Sequence, residues 1–179
     1  ELVTLAGAEP RGRGLEATGR RLLSMFYVNE LVLRLTLRQD PHPDIFATYE
    51  STVYRLAQDA GEAKTLRLFE RDLLDSLGYG LLLDRDVEGA EVRADCAYQY
   101  RLEEGPRRAE GNAGSALRIS GRALRAIHTG CLDDATELRE ARLLLTAALD
   151  HYLGGRPLKT RQFLNALRSR ASGSSLLAK

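Results

Sequence analysis

The segment GEAKTLRLFERDLLDSLGYG, residues 61 to 80, determines what kind of fold the chain adopts. Its apolar side chains recur every three or four positions, at Leu66, Phe69, Leu73, Leu74 and Leu77. This spacing places them on one face of a helix, and Gly78 is suited to the left-handed residue that ends a helix. The segment therefore predicts an amphipathic helix that packs on other helices.

Two more helices are predicted before this segment. GRRLLSMFYVNELVLRLTLRQ, residues 19 to 39, is apolar on nearly every side, which predicts a central helix buried on most of its surface, although VLRLTL also alternates as a strand would. In DPHPDIFATYESTVYRLAQ, residues 40 to 58, Pro43 and Asp44 suit a first helical turn. Its apolar face would be Ile45, Tyr49, Val53 and Leu56. Three such helices predict an antiparallel bundle.

Between Asp84 and Ser115 the helical pattern is lost. CAYQYRLEEG, residues 96 to 105, alternates apolar and polar residues and predicts a strand that ends at a Gly105-Pro106 turn, with SALRIS, residues 115 to 120, as its return strand. Ser120 is a suitable N-cap for a helix in GRALRAIHTG. A longer helix, roughly Thr136 to Leu153, follows, and its predicted buried residues are Leu138, Leu143 or Leu144, Ala147 and Leu149.

HYLGGRPLKTRQFLNALRSR, residues 151 to 170, combines a break between helices with charge of one sign. Gly154-Gly155 and Pro157 end the long helix, and Thr160 is predicted to cap a new one carrying Phe163, Leu164 and Leu167. No Asp or Glu occurs from residue 151 to 179, whereas the cations are Arg156, Lys159, Arg161, Arg168, Arg170 and Lys179. This pattern fits either a solvated face or a rigid phosphate-binding corner, which the acid-free segment 115 to 129 would extend through Arg122 and Arg125.

A second candidate site is on the helix of residues 61 to 80. Arg67 and Arg71 are four positions apart beside Leu66, and two guanidiniums so placed could hold a peptide that carries carboxylates. Alternatively, both arginines are solvated or paired with Glu70 or Asp72.

Composition restricts the class of protein. The 179 residues are 44% hydrophobic and 28% charged with a net charge of +1, which predicts one or at most two globular domains. Neither a secretory signal nor an apolar run of roughly 18 residues occurs, so we expect a cytoplasmic protein without a membrane partner. The opening ELVTLAGAEP alternates like a strand and lacks an initiator Met, which predicts a piece of a longer protein: residues 1 to 8 end another domain, and 9 to 18 form a linker.

Nothing in the sequence predicts catalysis, a cofactor or a metal site. Cys96 and Cys131 have no Cys or His at ligand spacing, and no histidine has a nucleophile context. The acidic run from Asp84 to Asp95 approaches a calcium loop, but its twelfth position is the short Asp95 and two arginines oppose a cation. A solvated loop is the expected structure, and a metal-dependent nuclease using these acids is the enzymatic alternative.

Six segments, taken in order, are similar to one protein family. FYVNELVLRL, DPHPDIFATYE, LRLFERDLLDSLGYG, YQYRLEEG, ISGRALRAI and YLGGRPLKTRQFL resemble the C-terminal helical domain of the bacterial RecO family, from about residue 19 to 167. The opening ELVTLAGAE resembles the last strand of that family's N-terminal OB-fold, which is otherwise absent. The resemblance implies a mainly α fold: a helical bundle with a small β-hairpin insertion over residues 19 to 179, preceded by that remnant strand.

The same resemblance implies a non-enzymatic recombination mediator in DNA repair. Such a protein would bind single- and double-stranded DNA, anneal complementary strands and, with its partner RecR, help load RecA onto DNA coated by single-stranded-DNA-binding protein. An arginine of the family's LRxFE segment helps hold the acidic, apolar-ended tail of that coating protein, and Arg67 occupies this place here. Some members carry a four-cysteine zinc module, from which this chain departs because Cys96 is alone there. Association with the nucleoid is expected.

Overall fold

A computed structural model describes residues 7, 9, 14–58, 61–109 and 117–163 of the chain. The elements, in chain order, are α1 (Gly19–Leu35), α2 (Pro43–Ala57), α3 (Glu62–Ser76), β1 (Ala97–Arg101), β2 (Gly105–Arg108), β3 (Leu117–Ser120), α4 (Gly121–Thr129) and α5 (Ala135–Tyr152). Residues 159–163 are also helical. The predicted mainly helical class is confirmed, whereas the predicted strand over residues 1 to 8 lies, apart from residue 7, outside the described residues.

Helix α1 buries only one of its faces. Met25, Val28 and Leu31 are in the core, but Phe26 is half exposed and Leu33 is 79% exposed. The predicted burial on most of its surface is therefore wrong for the described part of the chain, because its helical neighbours α2 and α3 leave the opposite side uncovered. The strand alternative for VLRLTL is also wrong, since the helix continues through Leu35.

Helices α2 and α3 match the sequence patterns closely. Pro43 and Asp44 occupy the first turn of α2, and Ile45 and Leu56 are buried against the other helices. The predicted stripe of α3 enters the same core, and Gly78 adopts the left-handed conformation just after the helix (φ 79°). Both predictions are confirmed. The apolar residues of such a helix lie on one face, so packing on one side buries them, and the local pattern is enough to predict which residues are buried.

The predicted two-stranded hairpin is a three-stranded antiparallel sheet in the order β2-β1-β3. Tyr98 and Tyr100 of β1 are buried as predicted, and Tyr98 lies opposite Ile119 of β3. The predicted Gly105-Pro106 turn is wrong: residues 102–104 make the turn, and these two residues begin β2. Pro106 is tolerated there because β2 is an edge strand, which needs no donor on its outer side.

The described residues form two hydrophobic cores that meet along α5. Leu145 and Leu149 pack with the α1–α3 bundle, whereas Ala141 and Leu144 pack with the sheet and α4. Leu144 is fully buried and Leu143 is 52% exposed, which settles the alternative left open by the sequence. Ser120 caps α4 as predicted, through a hydrogen bond from the Ala123 amide to its hydroxyl.

A stiff turn follows α5. Gly154 and Gly155 have positive φ angles of 63° and 70°, and Leu158 is buried in the first core. The prediction that Thr160 caps the next helix is wrong. The cap is Glu30 of α1, whose carboxylate accepts hydrogen bonds from the Lys159 amide, the Thr160 amide and the Thr160 hydroxyl at 2.7, 2.9 and 2.7 Å.

The rest of the predicted C-terminal helix is only partly covered. Phe163 is 54% exposed, and Leu164, Leu167, Arg168, Arg170 and Lys179 lie outside the described residues. Among the described helices, none is both long and apolar enough to cross a bilayer.

Candidate functional site

A cleft of about 530 Å³ lies between α1, α3, α5 and the residues that follow α5. We call it the arginine cleft. Its lining side chains are Arg20, Ser24, Tyr27, Glu62, Ala63, Leu66, Arg67, Leu138, Arg139, Arg142, Leu143, Thr146 and Arg161. Five arginines and three leucines converge there, with Glu62 as the lining acid. Such a cleft offers charge for carboxylates and an apolar surface for aliphatic or aromatic groups.

Arg67 is fixed at the base of the cleft by a buried network. Its side chain is only 9% exposed, and its Nη2 pairs with Oε1 of the fully buried Glu70. The Tyr27 hydroxyl donates to the same oxygen at 2.6 Å. Within the described residues, Arg67 Nε and Glu70 Oε2 have no hydrogen-bond partner. The network therefore holds Arg67 in place without using all of its donors.

Burial shifts the pKa values of two groups in this network. Burial raises the pKa of Glu70, although the Arg67 charge and the Tyr27 hydrogen bond oppose the shift. Burial, assisted by the Glu70 charge, also raises the pKa of Tyr27 above that of an ordinary phenol. Tyr27 consequently keeps its proton at neutral pH and acts as the donor to Glu70.

Arg161 enters the cleft from the short helix of residues 159–163, which follows the turn after α5. Its Nη1 donates to Asp150 Oδ1 at 2.6 Å and its Nη2 to the Tyr27 hydroxyl at 3.3 Å. The guanidinium carbon also lies 5.7 Å from the centre of the Tyr27 ring, within the range of a cation–π contact. Arg161 is thus joined to Arg67 through Tyr27 and Glu70.

The remaining cleft arginines come from α1 and α5. Arg20 pairs with Glu62 at 3.2 Å, whereas Arg139 and Arg142 are exposed one turn apart on α5. Sequence reasoning missed all three residues. The spacing of three between Arg139 and Arg142 was a usable signal of a shared face, but nothing local linked that face to Arg67.

Of the predicted peptide-binding residues, Arg67 and Leu66 line the cleft, but Arg71 does not. Its Nη1 donates to the carbonyl oxygens of Ile127 and His128 at 2.6 and 3.2 Å, and its Nε donates to Asp72. Arg71 therefore satisfies the C-terminal carbonyls of α4, where a cation is favoured. The joint grip of Arg67 and Arg71 on one ligand stays a prediction, and the alternative that Arg71 pairs with Asp72 is observed.

Only some of the cations that were predicted to lack acidic partners do lack them within the described residues. The side chains of Arg156, Lys159 and Arg125 are exposed, and no acid among the described residues forms an ion pair with them. Arg122 lies 3.6 Å from Glu137, and Arg161 pairs with Asp150. Both acids belong to α5, so the assumption that Arg122 and Arg161 are unopposed is wrong, because the fold supplies acids that the local sequence lacks.

Comparison with known proteins identifies the family. The family described as "Recombination protein O C terminal" matches residues 16–162, which is most of the chain. The chain belongs to the RecO family.

Proteins named DNA repair protein RecO are similar to this chain over most of its length. The one from Alkalilimnicola ehrlichii is 44% identical over 169 residues, which cover 93% of this chain and 67% of that protein. The one from Nitrosococcus oceani is 41% identical over 94% of this chain and 69% of that protein, and the one from Azoarcus is 40% identical over 93% and 70%. The family expected from the sequence is thereby confirmed.

The zinc module of some RecO proteins does not fit the described residues. Cys96 is half-buried, Cys131 is exposed, and both are free thiols. No group of three His, Cys, Asp or Glu side chains in the described ranges could hold a metal ion. The Asp84 to Asp95 segment is a loop in which Asp86 accepts two backbone amides and Arg93 pairs with Asp95.

Proposed function

We propose that this chain is the helical domain of a recombination mediator in DNA repair. It would bind single- and double-stranded DNA, anneal complementary strands and, with RecR, help load RecA onto DNA coated by single-stranded-DNA-binding protein. Membership of the RecO family, whose relatives are named DNA repair proteins, supports a role in DNA repair and recombination.

The arginine cleft would dock the acidic, apolar-ended tail of the coating protein. The observation that carries this assignment is the convergence of four other arginines and three leucines around Arg67, which is itself held rigidly by Glu70. Guanidiniums bind carboxylates through paired hydrogen bonds, and the leucines suit an apolar chain end. Docking would raise the local concentration of the mediator at coated DNA.

Titration of a fluorescently labelled acidic peptide with an apolar C-terminal end tests this docking. We expect Arg139→Gln and Arg142→Gln each to weaken binding by about tenfold, since each removes one charged hydrogen-bond donor. Both side chains are exposed, so the fold should be kept. A peptide with amides in place of its carboxylates is the matched control. Equal binding of the two peptides would remove the carboxylate role of the cleft.

DNA would contact a different surface. Arg156 and Lys159 on the turn, with Arg125 on α4, are exposed cations without an acidic partner in the described structure, and they suit phosphate contacts. Neutralising phosphate repulsion while the bases stay free favours pairing of complementary strands, so annealing needs no bond chemistry. The sequence-based assignments of Arg122 and Arg161 stay predictions, but their ion pairs make them weaker candidates.

The dependence of DNA affinity on salt tests this surface against the alternative of a helical protein-interaction module that does not touch DNA. Each lost phosphate contact should lower the slope of log affinity against log salt by about 1. We therefore expect Arg156→Gln with Lys159→Gln to flatten the slope by about 2. Asp84→Asn with Asp86→Asn serves as a charge-change control away from the turn. An unchanged slope in the Arg156/Lys159 variant would favour the interaction module.

We also propose that the protein acts without catalysis, in the cytoplasm and in association with the nucleoid. The rival is a metal-dependent nuclease that uses the acids from Asp84 to Asp95. Incubation of the chain with labelled DNA and Mg²⁺ or Mn²⁺ tests it. Cleavage that disappears in an Asp86→Asn variant would overturn the non-enzymatic proposal.

A further inference from the structure

Arg161 and Asp150 form a contact at the edge of the arginine cleft that differs from the buried pair at its base. Arg67 and Glu70 have side-chain exposures of 9% and 0%, whereas Arg161 and Asp150 have 26% and 54%. A solvent-exposed ion pair contributes little to stability and opens at small cost, but a buried one does not. Arg161 can therefore exchange its partner more readily than Arg67.

The position of Asp150 makes it a competitor for the same guanidinium. The cleft face of α5 includes Arg142, Leu143 and Thr146, and Asp150 follows Thr146 by one helical turn on that face. Its carboxylate thus projects at the end of the cleft, where it already holds Arg161 Nη1 at 2.6 Å.

The backbone that carries Arg161 is independently fixed. Glu30 holds the amides of Lys159 and Thr160, and Leu158 is buried in the first core. The Arg161 side chain can therefore change partners without movement of the turn, and its second donor already points to Tyr27 within the cleft.

We propose that Asp150 acts as an internal competitor of acidic ligands: it holds Arg161 when the cleft is empty, and a carboxylate of the ligand replaces it upon binding. This inference rests on the proposed docking of an acidic peptide. Arg161 is then a binding residue of the cleft, and Asp150 lowers the affinity of ligands whose carboxylate binds Arg161.

The experiment measures the anisotropy of the labelled acidic peptide against variants of the whole chain. Asp150→Asn should bind about 2- to 5-fold more tightly, the range expected for release of an exposed ion pair. Arg161→Gln should bind about tenfold more weakly. In the Arg161→Gln background, Asp150→Asn should have no further effect, which a double-mutant cycle detects as coupling.

Matched controls separate this exchange from general electrostatics and from misfolding. Asp95→Asn makes the same charge change in a loop outside the cleft, and Arg118→Gln removes an exposed cation on β3. A gain in affinity cannot arise from loss of structure, so Asp150→Asn is decisive even if Arg161→Gln folds poorly. The inference is overturned if Asp150→Asn binds no more tightly than Asp95→Asn, or if its gain persists without Arg161.

The outcomes also distinguish this inference from the proposed function. If the wild-type chain does not bind the peptide, the docking proposal and this inference both fail. If it binds and Arg142→Gln weakens binding while both Asp150→Asn and Arg161→Gln bind as wild type, only the inference fails.

Discussion

Lys159 and Arg161 are two residues apart, yet they belong to different regions of the molecule. Arg161 points into the arginine cleft, where Asp150 and Tyr27 contact it, whereas Lys159 is exposed. Residues two apart on a helix do not face the same way, so a cluster of cations in the sequence divides between two surfaces. In the cleft, Arg20, Arg67 and Arg161 are paired with acids, whereas Arg156 and Lys159 are exposed and form no ion pair within the described structure.

The largest effect on stability is expected at the base of the cleft, where Arg67 pairs with the buried Glu70. Arg67→Ala leaves Glu70 buried without its cation, so we expect the free energy of unfolding to fall by about 3–5 kcal/mol in urea titrations. Arg67→Met combined with Glu70→Gln removes both charges and keeps an acceptor for Tyr27. This double variant should regain most of the loss. A loss below about 1 kcal/mol in Arg67→Ala would mean that the cleft cations are no more embedded than those of the turn.

Glu30 lies between the two regions, and its removal should have a smaller effect. Glu30→Gln weakens the cap of the terminal helix, which should cost about 1 kcal/mol at neutral pH. Burial alone would raise the pKa of Glu30, but the Thr160 and Lys159 hydrogen bonds and the Arg34 charge hold it below its usual value. A lowered pKa means that this stabilisation is present above the ordinary value and is lost as the pH falls through the folded-state value.

Thermal unfolding as a function of pH checks the sign. The difference in melting temperature between wild type and Glu30→Gln should shrink as the pH is lowered below about 4. A difference that grows on acidification would contradict the cap.

Arg71 extends the comparison to a cation whose described contacts are the carbonyl oxygens at the end of α4 and the neighbouring Asp72. Arg71→Gln removes hydrogen bonds to the last carbonyls of α4, so we expect a loss of about 1 kcal/mol or slightly less in urea unfolding. Arg125→Gln is the matched control, since Arg125 is an exposed arginine on α4 itself. Peptide affinity should stay unchanged in Arg71→Gln. A large drop in affinity would return Arg71 to the binding site.

The smallest effect is expected on the turn. Arg156→Gln and Lys159→Gln should each change the free energy of unfolding by no more than about 0.5 kcal/mol, because their exposed side chains contribute to neither the cap nor a core. Urea titration of both variants beside Arg67→Ala gives the full range of the comparison. A loss of several kcal/mol at Lys159 would show that the turn cations are structural, like those of the cleft.

Local sequence patterns predicted the helices because apolar residues that recur every three or four positions lie on one face of a helix. Gly78, Ser120 and the Gly154-Gly155 pair ended or began helices where expected, since left-handed conformation and capping depend on adjacent residues. The burial of α1 was predicted wrongly. An apolar side chain such as Leu33 is equally compatible with packing and exposure until its neighbours are placed.

For the same reason, the sequence predicted only some of the residues of the site. Arg67 and Leu66 are on α3, whose orientation the hydrophobic stripe determined, so they could be placed beside the bundle. The partners of Arg67 could not be placed. Glu70 is a local neighbour, but Tyr27 and Arg161 come from segments 40 or more positions away, and no pattern within a helix encodes such a meeting.

By itself, the sequence determined the helical class, the helix ends and the family, because periodicity, caps and ordered motifs are properties of neighbouring residues. Only the tertiary structure decided which cations are opposed: Asp150 and Glu137 reach Arg161 and Arg122 from helix α5. Electrostatic interaction depends on distance through space, and a segment without acids in sequence can therefore be surrounded by them once the chain has folded.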